Sequence, residues 1–424
     1  MDTTQEASAS PQTEKYWRRN SVALFFGCLC SSLGFSCSWP FIPIILKDLG
    51  VTEGLGAWVG YLVGAFFGMS FLLTPVWGGL ADHFGKRTLM LRAGFGMGTG
   101  FLLLPLFPNI WAFLGIFLFI GAANGYIPGA LAMTAATTPA SHSGRALSLV
   151  QMGSLVGTAC GPALGAALFS MLPPVDVFWA ASALTFMAGL IALAFTREDV
   201  ATPSTRFRLT VFSDLASCLR VHGMPLLYAV NCVFVMTFQG SSTVVSLFNL
   251  DLMGGADLFQ GHGVAFWIGA ATLAMTLASI AAAYGWGRFL DWFHPPHVLA
   301  VALVTAFLSS LVLPLCRNPL QVVGARALLG ALMVGIQPAV LRLVKEHAQA
   351  GMEARALGFA AALQMLGNGS APMLAGWMAP SVGLRGYFLL NSVLLLAVLF
   401  LWVARGPGVH LPRSRWTFRG AEEP

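Results

Sequence analysis

Gly78-Gly79-Leu80-Ala81-Asp82-His83-Phe84-Gly85-Lys86-Arg87 joins two apolar runs, 57–80 and 89–107. Glycines let a chain turn tightly and let helices approach. Asp82 can cap a helix N-terminus or meet a cation, and Lys86 and Arg87 favour the cytoplasmic side of a bilayer. A plain positive-inside turn explains the bases but not the Gly-Asp-Gly spacing. A built joint between two antiparallel membrane helices explains both.

The rest of the chain agrees with that setting. Of 424 residues, 57% are hydrophobic and 9% charged, whereas soluble domains carry about 25% charged residues. So little polar surface cannot cover a core of this size, so lipid is the expected solvent. The 47 glycines and 23 prolines suit membrane helices that pack closely and bend. Roughly 20 apolar residues cross a bilayer. On that basis spans fall at 21–46, 57–80, 89–107, 110–135, 145–170, 177–195, 223–250, 264–289, 297–315, 319–345, 353–379 and 385–404. The first run is longer than a signal-peptide core and is read as an uncleaved span. The expected class is therefore an all-α integral membrane protein of twelve transmembrane helices.

Net charge is +6, but the bases sit in short interhelical loops, with no aromatic-basic patch for nucleic acid. With the N-terminus inside, only Lys47, Arg317 and Arg385 fall on the outer side, and Arg326 lies within a span. The remaining Lys and Arg are cytoplasmic, which places both termini inside. The expected organisation is a cytoplasmic N-terminal segment (1–20), a six-helix bundle (21–195), a cytoplasmic linker (196–222), a second bundle (223–404) and a cytoplasmic tail (405–424). The seven cysteines form no CxxC or Cys/His cluster and read as free thiols.

The halves repeat. Gly78–Asp82 maps 209 residues on to Gly287–Asp291, and Phe117 and Gly121 map by the same shift to Arg326 and Gly330. Arg145-Ala146-Leu147 maps by 210 to Arg355-Ala356-Leu357, and Pro162 to Pro372. A common register across four segments indicates duplication of a six-span unit, giving two pseudo-symmetric bundles.

The Gly78–Arg87 segment resembles the signature of the major facilitator superfamily, G-x-L-a-D-r-x-G-r-k, with His83 where a basic residue is usual. Span five carries Gly153, Gly157, Gly161-Pro162 and Gly165, which resembles the glycine-proline motif of that superfamily's drug–proton antiporters. Glycines four apart also make one smooth helix face, so ordinary small-residue packing accounts for the same pattern. From Tyr16-Trp17-Arg18-Arg19-Asn20 onward the chain is similar to MdtG-type bacterial multidrug resistance proteins. Pro40-Phe41-Ile42-Pro43, Leu49-Gly50-Val51 and Asn109-Ile110-Trp111 carry that likeness. The resemblance implies a cell inner membrane efflux antiporter exporting small lipophilic molecules by alternating access, with protons as the coupling ion. It implies a monomer in the lipid bilayer, with no cofactor. The rival from the same superfamily is a facilitator or importer of a sugar or organic anion.

Two departures matter. The family usually has Arg in span four, where this chain has Phe117; the second half keeps the pattern as Arg326-Ala327-Leu328-Leu329-Gly330. No Asp or Glu lies deep in any span, so no buried proton carrier is visible. Arg326 reads as the only charge well inside a span, either functional, or snorkelling outward or hydrogen-bonded to backbone carbonyls. Spans one, four, seven and ten surround the central path in this superfamily, so Trp39, Asn124, Gln239, Arg326 and Gln337 are the candidate cavity residues. Hydrogen-bond glue between helices is the alternative for the polar ones. Gate candidates are Gly78, Asp82, Gly85, Lys86, Arg87 and Arg145, with Asp291 and Arg355 at the matching points of the second repeat. An ATP site is excluded by spacing, since Gly79 to Gly85 is one residue too long and Arg87 stands where Ser or Thr is needed. No G-x-S-x-G, H-E-x-x-H or buried carboxylate pair suggests an enzyme, and His294-Pro295-Pro296-His297 lacks a third ligand for a metal.

Overall fold

The computed structural model describes residues 11–51, 53–139, 142–198, 220–221, 223–253, 259, 262–348 and 353–406; side chains of 11–15, 75, 82–83 and 353–355 lie outside that description. Apart from an isolated bridge between Phe259 and His262, regular structure among these residues is helical. In chain order the helices are α1 (Pro11–Ser38), α2 (Ile42–Asp48), α3 (Leu55–Phe84), α4 (Lys86–Leu106), α5 (Ile110–Ala123), α6 (Tyr126–Thr137), α7 (Ser143–Phe169) and α8 (Val177–Phe195). There follow α9 (Met224–Leu252), α10 (Val264–Trp292), α11 (Pro295–Ser310), α12 (Pro319–Met333), α13 (Ile336–His347), α14 (Glu353–Val382) and α15 (Leu384–Arg405).

Eleven helical segments among the described residues are long and apolar enough to cross a membrane. The twelfth expected span corresponds to α14, which is long enough at 30 residues. Gln364, Asn368 and Ser370 dilute its apolar character. Large apolar side chains stand exposed, including Trp111 at 67%, Tyr284 at 73%, Trp377 at 69% and Phe400 at 73%. That much outward apolar surface suits a lipid surround and not water.

Several spans are broken helices. The first passes from α1 to α2 through a short 3-10 turn, Trp39–Phe41, at Pro40. The fourth comprises α5 and α6, separated at Asn124-Gly125, where Gly125 takes φ +134, a conformation that disfavours a side chain. The tenth comprises α12 and α13, separated at Val334-Gly335. Their starts match as well. Asn109 Oδ1 accepts from Trp111 N at 2.9 Å to cap α5, and Asn318 Oδ1 accepts from Gln321 N at 2.9 Å to cap α12. Before each break a carbonyl accepts from an indole 45 residues earlier. Trp77 Nε1 donates to Ala122 O and Trp286 Nε1 to Ala331 O, each at 2.9 Å. The caps, the tryptophans and their acceptors all repeat at the 209-residue shift read from the sequence.

The chain resolves into two compact units, residues 1–39 with 72–206, and residues 40–71 with 207–424. The first unit centres on Leu24, Cys28, Met90, Tyr126, Val150 and Ala188. The second has a larger core, including Leu227, Phe248, Leu303, Leu329, Leu343 and Trp402. Helix α3 contributes its first part to the second unit and its last part to the first. The six described cysteines are free thiols, and Cys218 lies outside the described residues.

Candidate functional site

In the first unit the glycine-rich joint is a helix end, a single glycine and a helix start. Gly85 is buried at φ +87, and α4 begins at the next residue. Glu198, just past α8, caps that start. Its Oε1 accepts from Lys86 N at 3.0 Å and its Oε2 from Arg87 N at 2.6 Å. A carboxylate at a helix N-terminus satisfies orphan amides and complements the dipole. The Arg87 side chain donates through Nη2 to Leu193 O at 2.7 Å. Thus Lys86 and Arg87 are held to the end of α8, a link that nothing in the sequence signalled. At Gly78 a Cβ would meet no atom of the described residues within 4 Å. The side chains of Asp82 and Arg355 lie outside the described residues, and Arg145 is exposed on α7.

The glycine face of α7 has a visible partner. A Cβ on Gly153 would strike Phe25 O, one on Gly157 would lie 2.5 Å from Leu29 O, and one on Gly161 would strike Ser36 Cβ. Gly165 and Pro162 are buried on the same helix. Ser32 and Ser154 share a hydroxyl hydrogen bond of 2.9 Å across this interface. The small residues let α7 lie backbone to backbone on α1.

Trp39 stacks on Phe35 with centroids 4.5 Å apart and lies 6.2 Å from Phe117, which is buried. Asn124 sits at the break of the fourth span, where its Oδ1 accepts from Gly125 N at 2.8 Å. Here the structure brings in Arg92, which sequence reading counted among the cytoplasmic bases. Arg92 donates through Nη1 to Ala122 O at 2.9 Å and through Nη2 to Asn124 O at 3.2 Å. Its guanidinium carbon is 3.6 Å from the centre of the Trp77 ring. Arg326 is therefore not alone as a cation within a helical span. Arg92 follows the first turn of α4 closely enough to pass as a topogenic base, and only the break in another helix gives it acceptors.

In the second unit Asp291 meets Arg342 on α13, Nη1 to Oδ1 at 3.5 Å, while Arg342 Nε lies 3.2 Å from Glu346 Oε1. Arg342 also donates to Leu290 O at 2.9 Å. Matching the two halves could not find Arg342, because its counterpart in the first repeat is Met133. Asn231 and Gln364 are interhelical glue: Asn231 Nδ2 donates to Ala360 O at 3.0 Å, and Gln364 Nε2 to Asn231 Oδ1 at 3.4 Å. Gln239 and Gln337 are half-buried, on α9 and on the first turn of α13. Arg326 is only 2% exposed. Its Nη2 donates to Ser242 Oγ at 3.0 Å, on α9 and close along it to Gln239. Snorkelling to a surface does not describe it. Trp39 and Asn124 belong to the first unit, and Gln239, Arg326 and Gln337 to the second.

Comparison with known proteins gives a consistent picture. The family model described as Major Facilitator Superfamily matches residues 24–275 and 260–421. The chain is 29% identical over 383 residues to "Multidrug resistance protein MdtG" of Enterobacter lignolyticus (strain SCF1), covering 90% of each chain. It is 28% identical over 391 residues to the protein of the same name from Klebsiella pneumoniae (strain 342), covering 92% of this chain and 93% of that one. Among solved structures, the human organic anion transporter MFSD10 superposes with a TM-score of 0.65 at 20% identity, over 91% of this chain and 99% of that one. A point mutant of the nucleoside transporter NupG gives 0.72 at 12% identity, over 91% and 99%. Identities this low speak to the fold alone.

Proposed function

Because this chain belongs to the Major Facilitator Superfamily, we propose that it is a secondary transporter that exports small lipophilic compounds, drugs among them, across the bacterial inner membrane. In this reading two six-helix bundles, 21–195 and 223–404, alternate access to a path between them, with protons moving inward as the coupling ion. The linker 196–222 and both termini are cytoplasmic. Gly78, Asp82, Gly85, Lys86, Arg87 and Arg145 serve the cytoplasmic gate in the first repeat, and Asp291 and Arg355 in the second.

The observation that carries the reading is extent. Multidrug resistance relatives align over 90% and 92% of the chain, so the likeness spans both repeats and not one motif. The α7 glycine face, flush on α1, supports a rigid-body role for that part of the first repeat. Trp39, Asn124, Gln239, Arg326 and Gln337 are proposed to line the path. Asn124 and Gln337 adjoin helix breaks, where freed backbone groups and side chains face inward more readily than along an unbroken span.

Transport of a panel of lipophilic dyes and drugs into inverted vesicles tests this directly. The expected result is energised accumulation of at least one compound that collapses with the proton gradient. Equal movement with and without the gradient would favour the facilitator reading, which the lack of a deep carboxylate in the sequence supports. No movement of any panel member beyond empty vesicles would remove the export reading.

A further inference from the structure

Arg92 and Arg326 both lie within helical spans, and they differ in how their donors are used. Arg92 gives both Nη groups to backbone carbonyls, leaves only Nε without a partner, and holds its guanidinium carbon over the Trp77 ring. That is a structural guanidinium closing a helix break. Arg326 is more deeply buried, at 2% exposure, yet only Nη2 has a partner, and Nε and Nη1 have none. A guanidinium stays charged in a protein and carries five N–H donors. Ser242 cannot neutralise it. The serine's own proton goes to Phe238 O at 3.1 Å, which turns an oxygen lone pair toward Arg326. Among the described residues the ion pairs belong to Arg342, and no carboxylate meets Arg326.

The open donors have a definite shape. A guanidinium offers two edges that can each hold a carboxylate in bidentate fashion. Ser242 occupies one N–H of Nη2, and with Nε and Nη1 unpartnered one complete edge stays free. The matching position of the first repeat carries no charge: it is Phe117, buried beside Trp39 and Phe113. Nearby apolar surface is present as well: Phe238, one turn from Ser242 on α9, packs its ring 5.8 Å from Phe234.

We propose that Arg326, anchored by Ser242, recognises the anionic group of a lipophilic weak acid, with a carboxylate on the free guanidinium edge and the apolar body toward Phe238. This deepens the export reading and rests on it. Lipophilic organic cations are disfavoured at the same point by like charge.

The test uses three probes with one body: 1-pyrenebutyrate, its methyl ester, and the corresponding pyrenebutyl trimethylammonium ion. Each is titrated by pyrene fluorescence against the full-length protein in lipid nanodiscs. Wild type is expected to bind the carboxylate at least about tenfold more tightly than the ammonium ion. Arg326→Met is expected to lose about tenfold in carboxylate affinity while the ester changes by less than about twofold. Arg326→Lys keeps the charge but not the planar fork, and is expected to fall between. Should Arg326→Met not accumulate in the membrane, the Arg326→Lys comparison of carboxylate against ester decides the matter. Equal losses for carboxylate and ester, or no discrimination between carboxylate and ammonium by wild type, would overturn the proposal. Displacement of pyrenebutyrate by excess sulfate would assign the arginine to a small inorganic anion and equally overturn it. Accumulation of the methyl ester in energised inverted vesicles reports on export independently, so failure of the export reading is distinguishable from failure of the anion site.

Discussion

Glu198 meets the first two amides of α4, and both its oxygens are used. Removing a side-chain cap costs about 0.5–2 kcal/mol, with the charged contact to the helix dipole at the upper part of that range. Glu198→Ala is therefore expected to lower the thermal midpoint of the purified protein by a few degrees, and Glu198→Gln by less, because an amide oxygen can still accept. Intrinsic tryptophan fluorescence on heating reads both, and an unchanged midpoint for the alanine variant would show the cap to be unimportant. Glu198 was illegible as a cap because it falls where the chain reads as linker, and its partners lie more than a hundred residues earlier. Arg92 and Arg342 were illegible for the same reason: their acceptors come from other helices. Asp82 is proposed for the gate from its motif, and Asp82→Asn is expected to lower transport severalfold while leaving insertion intact. Asp291→Asn is expected to do less. Its side chain is 76% exposed and its pair with Arg342 is of the kind worth about 0–1 kcal/mol. Vesicle uptake normalised to membrane protein level compares the two, and full transport by Asp82→Asn would remove it from the gate.

Among the helices, positions and lengths were legible and breaks were not. The apolar pattern runs through 110–135 and 319–345 with only isolated polar residues, so each reads as one span. At the interruptions Asn124-Gly125 and Val334-Gly335, Trp77 and Trp286 supply donors from a neighbouring helix. The sequence also contains a stripe of Gly56, Gly60, Gly64 and Gly68 on α3 that gains meaning from its surroundings. A Cβ on Gly60 would lie 2.7 Å from both Met373 Cα and Pro372 O of α14, which are backbone atoms that cannot swing aside. Among the described residues, the nearest atom at Gly64 is 3.4 Å away, and at Gly68 nothing lies within 4 Å. Overpacking a tight interface costs about 1–3 kcal/mol. Gly60→Ala is thus expected to destabilise the protein by about that much, whereas Gly68→Ala stays neutral or gains slightly from helix propensity. Paired melting curves in one detergent settle it, and equal midpoints for the two variants would refute the close approach of α3 to α14.

At the scale of the molecule, the fold class and the duplication were the most legible features, because both rest on long-range regularity: composition over the whole chain and a shift of 209 or 210 residues. The structure extends that register from motif residues to helix caps and helix breaks. What crosses the membrane follows from apolar length, but which way it faces follows from charge. Lys and Arg near span ends resist transfer through the bilayer, so loops rich in them stay cytoplasmic. Only Lys47, Arg317 and Arg385 fall on the other side in the twelve-span arrangement. Moving Arg92 from the cytoplasmic bases to the interior of α4 leaves this asymmetry large. On the proposed even number of spans, both termini are expected on one side, with residues 196–222 between the repeats on that same side. Fusions of green fluorescent protein, which matures only in the cytoplasm, and of alkaline phosphatase, which folds only outside it, distinguish the two faces. Fluorescence without phosphatase activity is expected for fusions after Thr205 and after Pro424. Phosphatase activity is expected for a fusion in the loop at Arg317. Because α14 alone of the twelve expected spans is not among the eleven described segments long and apolar enough to cross, it decides the outcome at the C-terminus. If α14 did not cross, the C-terminal fusion would report the opposite side from the Thr205 fusion, and the twelve-span count would fall to eleven.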